Sequence, residues 1–310
     1  MNTPIWITEG DPTGISPELI QKSSLQLKSI ARKRPVIFIA SSPRQEYSDF
    51  QAWNLQLANG LFVQYHSEKS KFKWTPGKPA SQSGKAALES LHLACQNIQK
   101  FKGNLITLPL SKEWVIKGNS TNFRGHTEYL SEFFNRPTFM MMYSGSFNVI
   151  PLTTHIPLKD VTSALKNILW KELFLSIQNS GLFTKPRIGI CGINPHAGEN
   201  GKIGSEEEEI LKPIVKLFRK KGWNLSSPIS ADSIFHKEVR EKFDIIFANY
   251  HDQGLIPFKM TVGKKGINLT LGLDFIRVSP DHGTAFDIAG KGIADPESFR
   301  QCLKILEKSN

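Results

Sequence analysis

Short apolar runs alternate with helical patterns along the whole of this chain. The apolar runs have the length of strands, and they cover residues 4–8, 35–40, 104–108, 138–143, 148–153, 187–191 and 244–248. The helical patterns between them include residues 18–30, 83–100, 128–134 and 165–177. This alternation predicts an α/β fold with a largely parallel sheet, in which functional sites form at the carboxyl ends of the strands.

The length and composition of the chain indicate a globular protein with two domains. It has 310 residues, of which 39% are hydrophobic and 22% are charged. The first eight residues lack the features of a secretion signal, and no later segment approaches the ~18 apolar residues of a membrane span. Three separated cysteines without a CxxC pair favour a reduced setting. We therefore expect a cytoplasmic protein with no membrane partner.

The net charge of +11 has two interpretations. A basic chain can bind nucleic acid, or it can bind small acidic metabolites. The lysines are scattered, and no RNA-binding or helix-turn-helix signature accompanies them. A basic nucleic-acid-binding α/β protein is therefore kept as an alternative, whereas the favoured partner is a small phosphorylated molecule rather than a nucleic acid.

Three histidines follow predicted strands. They are His155 in TTHIP, His196 in CGINPHAGE and His251 in YHDQG. Neutral imidazoles bind divalent metal ions, although these three are too far apart in sequence to form a local motif such as HExxH. Each one alone would be interpreted as a hydrogen-bonded loop residue. Their shared position at strand ends favours a three-histidine metal site.

A second group of polar residues lies in the segment that begins at Lys259. It contains Lys259, Asn268 and Arg277. An arginine can hold a phosphate or carboxylate through two parallel hydrogen bonds, and a lysine adds a point charge. A lysine is usually a solvated surface charge, but Arg277 lies in the apolar run DFIRV. The group therefore indicates an anionic substrate.

The helix with the clearest end signals begins at Ser205. Ser205 and Glu208 fit an S-x-x-E capping box, and Gly222 fits the C′ position beyond the last turn. The glutamates at 206–209 are therefore predicted to start a helix rather than bind a metal. No GxGxxG or GxxxxGK[ST] loop occurs in the chain. The residues alone indicate an α/β enzyme with a candidate metal site and an anionic substrate.

Six motifs extend this interpretation. They are GDPTGISPE from Gly10, GHTE from Gly125, THIPL from Thr154, CGINPHAGE from Cys191, YHDQG from Tyr250 and DHGTA from Asp281. Together, and in this order over nearly the full chain, they resemble the 4-hydroxythreonine-4-phosphate dehydrogenase family.

The resemblance implies a fold of two α/β/α lobes with a central cleft, as in the isocitrate and isopropylmalate dehydrogenases. These enzymes bind NAD without a GxGxxG fingerprint. The first lobe would be residues 1–122 plus 290–310, and the second would be residues 123–289 and would carry most of the metal and substrate residues. The resemblance also implies a homodimer with the metal site at the subunit interface.

The implied activity is the NAD-dependent or NADP-dependent oxidation of 4-phosphohydroxy-L-threonine in pyridoxal 5′-phosphate biosynthesis. The β-keto acid product would lose carbon dioxide and give 3-amino-2-oxopropyl phosphate. A divalent ion (zinc, magnesium or cobalt) would lower the pKa of the substrate hydroxyl and stabilise the enolate left by decarboxylation.

The family's site residues transfer to this chain by motif. His155, His196 and His251 would be the metal ligands. The substrate would be bound by five residues: His126, Thr127, Lys259, Asn268 and Arg277. Asp252 and Lys112 are alternatives for the catalytic base, and Asp252 could instead orient an imidazole.

Some positions depart from the family's pattern. Leu108 replaces a small glycine or alanine, Ser111 replaces a histidine or asparagine, and Thr13 and Ser16 replace an alanine and a glycine in the first loop. Relatives that act on phosphorylated threonate or erythronate share much of the motif set. A dehydrogenase of such a sugar acid is therefore an alternative, and a metabolite-binding module without turnover is another.

Overall fold

The computed structural model describes residues 3–66, 73–119 and 123–308. The chain divides into two compact units. Unit 1 comprises the described residues up to Arg136 and those from Leu273 onward, and unit 2 is Pro137–Gly272. The predicted boundaries followed residues 122 and 289, and residue 122 itself lies outside the described residues. The observed units therefore differ from the predicted ones in residues 123–136 and 273–289, which belong to unit 1.

Packing explains why these two segments belong to unit 1. Phe123 and Leu130 are buried in the core of unit 1 with Trp6 and Leu105. A strand that begins at Arg277 pairs in parallel with the strand that contains Leu105. Both segments therefore contribute hydrogen bonds or apolar side chains to unit 1, which a sequence pattern does not reveal.

The described residues form twelve strands. They are β1 Ile5–Thr8, β2 Pro35–Ala40, β3 Gln51–Ala52, β4 Gly60–Tyr65, β5 Asn104–Thr107, β6 Phe139–Tyr143, β7 Val149–Pro151, β8 Arg187–Cys191, β9 Asn224–Ile229, β10 Ile245–Ala248, β11 Ile267–Leu271 and β12 Arg277–Pro280. In unit 1 the strand order is β3-β4-β2-β1-β5-β12, with parallel pairing throughout. In unit 2 the order is β11-β6-β7-β10-β8-β9.

Unit 2 has a mixed sheet. Strands β7, β10, β8 and β9 are parallel neighbours, whereas β6 is antiparallel to both β7 and β11. The predicted strands all occur, but β3, β4, β9, β11 and β12 were not predicted. Strand β3 is exposed and β9 has only one buried residue, so neither carries a continuous apolar run.

The α-helices of the described residues are α1 Ser16–Lys22, α2 Ser24–Ala31, α3 Ser81–Phe101, α4 Lys112–Asn119, α5 His126–Phe134, α6 Val161–Lys166, α7 Trp170–Asn179, α8 Lys212–Lys220, α9 Ala231–Ile234, α10 Lys237–Arg240, α11 His251–Val262 and α12 Glu297–Lys308. Helix α3 matches its prediction because Ala87, Leu91, Ala94 and Ile98 recur at helical spacing and are buried. The predicted helices 18–30 and 165–177 are each two helices in the structure.

These two helices are interrupted where the backbone leaves helical geometry. Ser23 has φ −108° and ψ 10° between α1 and α2, and Leu169 has φ −76° and ψ 67° before α7. Leu19 and Leu27, on either side of the first break, are both buried. Buried residues therefore recur at helical spacing on both sides of the break. A periodic pattern of this kind looks the same for two helices as for one continuous helix.

Two further predictions concern the cysteines and membrane association. Cys95, Cys191 and Cys302 are buried and unpaired with one another. Within the described ranges, no helix has the length and apolar character needed to cross a membrane.

Candidate functional site

Three loops of unit 2 carry the predicted metal ligands. His155 lies shortly after β7, His196 lies after β8, and His251 is the first residue of α11 after β10. Strands β7, β10 and β8 are adjacent and parallel, so their carboxyl ends lie at one edge of the sheet. The sheet order therefore places all three loops at the same edge of unit 2.

The side chains of two of these histidines are close together. The ring centroids of His155 and His251 are 5.9 Å apart, and the two rings are inclined by 41°. Nδ1 of His251 lies 2.7 Å from Oδ1 of Asp252. A hydrogen bond at Nδ1 leaves Nε2 as the ring nitrogen available to a metal. Among the side chains that the structure describes, no group of three histidine, cysteine or acidic residues is arranged to hold a metal ion.

His196 lies in a loop with unusual backbone geometry. His196 and Ala197 both have φ 51°, and Glu199 and Asn200 also have positive φ around Gly198. Non-glycine residues rarely adopt this left-handed conformation, so the surrounding structure must hold the loop in place. The exposed imidazole of His196 is thus presented by a constrained loop.

The carboxylate of Glu207 holds this loop. It is buried, and its Oε1 accepts hydrogen bonds from the backbone nitrogens of Ile193 and Asn194, both at 2.7 Å.

The predicted capping box at Ser205 is wrong, because the Ser205 hydroxyl bonds to Glu209 and Glu207–Leu211 forms a π-helical turn before α8. In the sequence, Glu207 indicates only a helix start, because its partners Ile193 and Asn194 lie 14 and 13 residues away. Gly222, with φ 88° beyond α8, does occupy the predicted C′ position.

A buried cation lies in unit 1. Arg277 is 1% exposed, and its Nε donates a hydrogen bond to Oγ1 of Thr107 at 3.1 Å. Burial lowers the pKa of Arg277 to about 10, so the guanidinium keeps its charge at neutral pH. A buried guanidinium of this kind is suited to binding an anion.

His126 accompanies Arg277. It is the first residue of α5, and its Nε2 is buried without a hydrogen-bond partner among the described atoms. Burial, together with the charge of Arg277, holds the pKa of His126 well below its usual value. His126 is therefore a neutral imidazole at neutral pH, with one ring nitrogen left for a ligand. Thr127 follows it in the first turn of α5.

The other predicted site residues are more exposed. Lys112, the first residue of α4, and Asp252 and Lys259 in α11 are exposed. Asn268 lies on β11 in unit 2, with a buried Oδ1 that has no partner among the described atoms. The structure thus places His126, Thr127, Arg277 and Lys112 in unit 1, and the other predicted site residues in unit 2.

Leu108, which the sequence singles out as an unexpectedly large residue, is buried. Leu108, directly after β5, is 0% exposed, and its backbone nitrogen bonds to Oγ1 of Thr8 at 3.3 Å. Gly10 lies against the same segment, because a side chain at Gly10 would meet the carbonyl oxygen of Pro109 at 2.2 Å. Leu108 therefore packs in the interior of unit 1, directly beyond the carboxyl end of β5.

Two buried carboxylates follow β1. Glu9 accepts hydrogen bonds from the backbone of Ser41 (2.7 Å) and the hydroxyl of Tyr47 (2.9 Å). Asp11 accepts hydrogen bonds from the backbone and the hydroxyl of Thr13, so it stabilises a turn. Burial raises the pKa of both carboxyl groups. Glu9 was not singled out by the sequence analysis, because its partners lie more than 30 residues away.

A separate pocket of about 550 Å³ lies in unit 1. Its lining residues come from the amino ends of strands and from helix ends: Thr3, Ile98, Gln99, Lys102, Gly103, Asn104, Phe134, Arg136, Asp274 and Phe275. None of these is a predicted site residue. Because sites of α/β proteins form at the carboxyl ends of strands, this pocket is not the candidate active site.

Comparisons with known proteins agree with the motifs. The sequence model of the family "Pyridoxal phosphate biosynthetic protein PdxA" matches residues 6–306. A 4-hydroxythreonine-4-phosphate dehydrogenase of Sulfurihydrogenibium sp. is 36% identical over 96% of each chain. A protein of Oceanobacillus iheyensis, provisionally named D-threonate 4-phosphate dehydrogenase, is 37% identical over 96% of this chain and 95% of its own.

Solved structures give the same result. A crystal structure of 4-hydroxythreonine-4-phosphate dehydrogenase from Klebsiella pneumoniae matches with a TM-score of 0.79 and 30% identity, over 98% of each chain. An isocitrate dehydrogenase from Methylococcus capsulatus, at 12% identity, a TM-score of 0.50 and coverage of 99% of this chain and 85% of its own, shares the fold alone. The predicted isocitrate dehydrogenase-like α/β fold is thereby confirmed. This chain belongs to the PdxA family of pyridoxal phosphate biosynthetic proteins, whose members include 4-hydroxythreonine-4-phosphate dehydrogenases.

Proposed function

We propose that this protein oxidises 4-phosphohydroxy-L-threonine with NAD or NADP and a divalent metal ion, in pyridoxal 5′-phosphate biosynthesis. The resulting β-keto acid loses carbon dioxide and gives 3-amino-2-oxopropyl phosphate. Within the family match, the observation that carries the proposal is the fully buried Arg277 beside the neutral His126, because a buried cation is suited to a phosphorylated substrate.

Five residues are proposed to bind the substrate. In unit 1, Arg277 would bind an anionic group through its guanidinium, and Nε2 of His126 and the neighbouring Thr127 would bind polar groups. In unit 2, Lys259 would add a positive charge, and Asn268 would use its buried side-chain amide. The neutral state of His126 allows it to donate or accept a hydrogen bond without a further charge.

The pair His155 and His251 of unit 2 has donor groups that suit a divalent metal ion. His155 and His251 have rings 5.9 Å apart, and Asp252 binds the Nδ1 side of His251. An acidic partner of this kind orients a metal-binding imidazole and increases its basicity. When bound, a divalent ion would supply Lewis-acid stabilisation of negative charge on the substrate oxygen. His155, His196 and His251 are the proposed ligands for zinc, magnesium or cobalt.

The reaction also needs a group that removes the proton of the substrate hydroxyl. Asp252 and Lys112 are the two candidates. The 2.7 Å contact between Asp252 and His251 favours an orienting role for Asp252. Lys112 is then the proposed base. A bound nicotinamide would supply the hydride acceptor for the carbon that carries this hydroxyl.

We further propose that the protein is a homodimer in which the metal site is completed at the subunit interface. His155 and His251 are neighbours in one chain, so they would come from the same protomer. His196 would then come from the partner, presented by its constrained loop.

The proposal is tested by NADH or NADPH formation with 4-phosphohydroxy-L-threonine. The protein is stripped of metal and then resupplied with Mg²⁺, Zn²⁺ or Co²⁺. We expect turnover to depend on the added ion and to be lost in a His251→Ala variant. The exposed His236 provides a matched control, and His236→Ala should retain turnover within about twofold, as for most surface substitutions. Turnover that persists after complete metal removal would contradict the metal-dependent mechanism.

A second candidate function is the oxidation of a phosphorylated threonate. The relative from Oceanobacillus iheyensis carries such a name and is 37% identical over 96% of this chain. The two functions are distinguished by the kcat/KM for 4-phosphohydroxy-L-threonine, D-threonate 4-phosphate and erythronate 4-phosphate. A tenfold or greater preference for either sugar acid would favour the second function.

A further inference from the structure

The three loops that carry the histidines of unit 2 are joined at one buried residue, Asn249, through its side chain and its backbone. Asn249 is the residue between β10 and the cap of α11, and it is 0% exposed. It has no ionisable group and is not itself one of the proposed ligands. Its position at the end of the central strand of β7, β10 and β8 places it between the other two loops.

The first connection runs to the loop of His196. The side-chain nitrogen of Asn249 donates hydrogen bonds to the carbonyl oxygens of Cys191 and Gly192, both at 3.0 Å. These two carbonyls lie where β8 passes into the loop that contains His196. Two carbonyl acceptors also determine the orientation of the amide, because a flipped amide would place its oxygen against both of them.

The second connection runs to the loop of His155. The hydroxyl of Thr153 donates a hydrogen bond of 2.7 Å to the backbone carbonyl of Asn249. Thr153 is buried and lies two residues before His155. The third connection is within the segment of His251 itself. Oε1 of Gln253 accepts a hydrogen bond of 2.6 Å from the backbone nitrogen of Asn249.

Gln253 closes this network. Its side-chain nitrogen donates to the carbonyl oxygen of Gly192 at 2.9 Å, so the segment of His251 is bonded to the loop of His196 a second time. Oδ1 of Asn249 is buried and has no partner among the described atoms. A buried amide that leaves one acceptor unsatisfied costs free energy, and the hydrogen bonds that its nitrogen donates to Cys191, Gly192 and Gln253 must offset that cost.

We infer that Asn249 is a positioning residue, which sets the mutual placement of the loops that carry His155, His196 and His251. The expected effect on metal binding rests on the proposed metal-dependent function. The connection of the loops does not, because it is a property of unit 2 alone. In the proposed homodimer the His155–His251 pair and the His196 of one chain belong to two different metal sites, so displaced loops would disturb both sites. Loss of the Asn249 side chain would therefore weaken metal binding without removing a ligand.

Asn148 provides a matched control. It is also a buried asparagine of unit 2, 2% exposed, and its side chain accepts hydrogen bonds from the backbone nitrogens of Ser144 and Gly145 and donates one to the carbonyl of Asp244. It precedes β7, at the opposite end of the same strands. Asn148→Ala therefore removes a buried amide of the same kind without touching the histidine loops.

The first experiment is hydrogen exchange of the metal-free full-length protein, measured on backbone segments. Asn249→Ala should increase exchange in the segments around His196 and His251, which its side chain joins, whereas the bond from Thr153 to the backbone carbonyl of residue 249 remains. Asn148→Ala should increase it only around residues 144–148 and 244. If Asn249→Ala affects its own segment alone, the inference is overturned, whether or not the protein binds a metal.

The second experiment is titration of the same variants with Co²⁺, followed by calorimetry and by the visible absorption of the bound ion. Asn249→Ala should weaken Co²⁺ binding by about 10-fold to 100-fold, as loss of residues behind metal ligands does elsewhere, and Asn148→Ala by less than about twofold. Equal weakening in both variants would overturn the inference. A wild-type protein that binds no Co²⁺ would instead contradict the proposed metal-dependent function, and the exchange result would still decide the role of Asn249.

A milder variant covers the case in which Asn249→Ala does not fold. Thr153→Val keeps the side-chain shape and removes only the hydroxyl that bonds to Asn249. It should increase exchange in the segment of His155 and leave the segment of His196 unchanged. An unchanged segment of His155 would show that this connection has no positioning role.

Discussion

Nε of Arg277 donates a hydrogen bond to Oγ1 of Thr107 at 3.1 Å, in a position that is 1% exposed. Arg277 begins β12 and Thr107 ends β5, and the two strands pair in parallel. A guanidinium is thereby held by the sheet of unit 1 at the edge where β5 ends. Placing a permanent charge there costs desolvation free energy, which an anionic substrate would offset.

The first prediction concerns this guanidinium. Arg277→Lys keeps the charge but removes the planar donor fork, so kcat/KM for the phosphorylated substrate should fall by about 100-fold. Arg136→Lys is the control. Arg136 is an exposed arginine of unit 1 paired with Asp274 at 2.7 Å, and its replacement should change kcat/KM by less than about twofold. Steady-state kinetics checks both values, and equal effects of the two variants would contradict a substrate-binding role for Arg277.

The second prediction concerns the sharing of the metal site in the proposed homodimer. When His196→Ala and His251→Ala proteins are dissociated and mixed, mixed dimers should regain one intact site out of two. Random mixing makes half of the dimers mixed, so about one quarter of the wild-type activity should return.

The pair His155→Ala and His251→Ala is the control for this experiment. These rings are 5.9 Å apart in one chain, so each site would take both histidines from the same protomer. In a mixed dimer, one site would lack His155 and the other would lack His251. No activity should return on mixing. Recovery with this second pair, or none with the first, would show that the histidines are divided differently between the protomers.

The third prediction concerns pH. Burial and the charge of Arg277 lower the pKa of His126 in the folded state relative to its unfolded value of 6.5. Below that pH the unfolded chain binds a proton that the folded chain excludes. The free energy of unfolding therefore decreases as pH falls below about 6.5, by at most about 1.4 kcal/mol per pH unit for this one group.

The contribution of His126 is isolated by comparison with His126→Gln. The free energy of unfolding of both proteins is measured by urea denaturation from pH 7.5 to pH 5. As pH falls, the protein with His126 should lose more stability than the His126→Gln variant. Comparison of the two proteins also removes the opposite contributions of Glu9 and Asp11, whose pKa values are raised by burial. A difference that is constant over this range would contradict the lowered pKa of His126.

The fourth prediction compares two adjacent glutamates. Glu207→Ala leaves the backbone nitrogens of Ile193 and Asn194 without their acceptor, so the free energy of unfolding should fall by about 3 kcal/mol. Glu208 is exposed and pairs with Lys212 one turn later, and Glu208→Ala should cost less than about 0.5 kcal/mol. Urea denaturation gives both values. A similar cost for the two substitutions would show that the loop does not depend on Glu207.

Local patterns predicted the α/β class and most of the buried strands, because a buried strand needs a continuous apolar run. The same patterns did not reveal the breaks at Ser23 and Leu169 or the edge strands β3 and β9. An exposed edge strand has no apolar requirement, and a helix break can preserve the apolar period on both sides. The unit boundaries were also displaced, because Phe123 and Leu130 join the core of unit 1 through contacts distant in sequence.

For the site, the sequence by itself determined which side chains follow the strands: His155, His196 and His251 in one sheet, and Arg277 in an apolar run. The family match agrees with those motifs. Only the tertiary structure decided how these residues are held. Glu207 and Asn249 are ordinary polar residues in the sequence, and their side chains bond to backbone groups 13 to 58 positions away. A buried polar side chain must find its partners in the folded chain, and these partners are brought to it by the pairing of strands and not by the residues beside it in sequence.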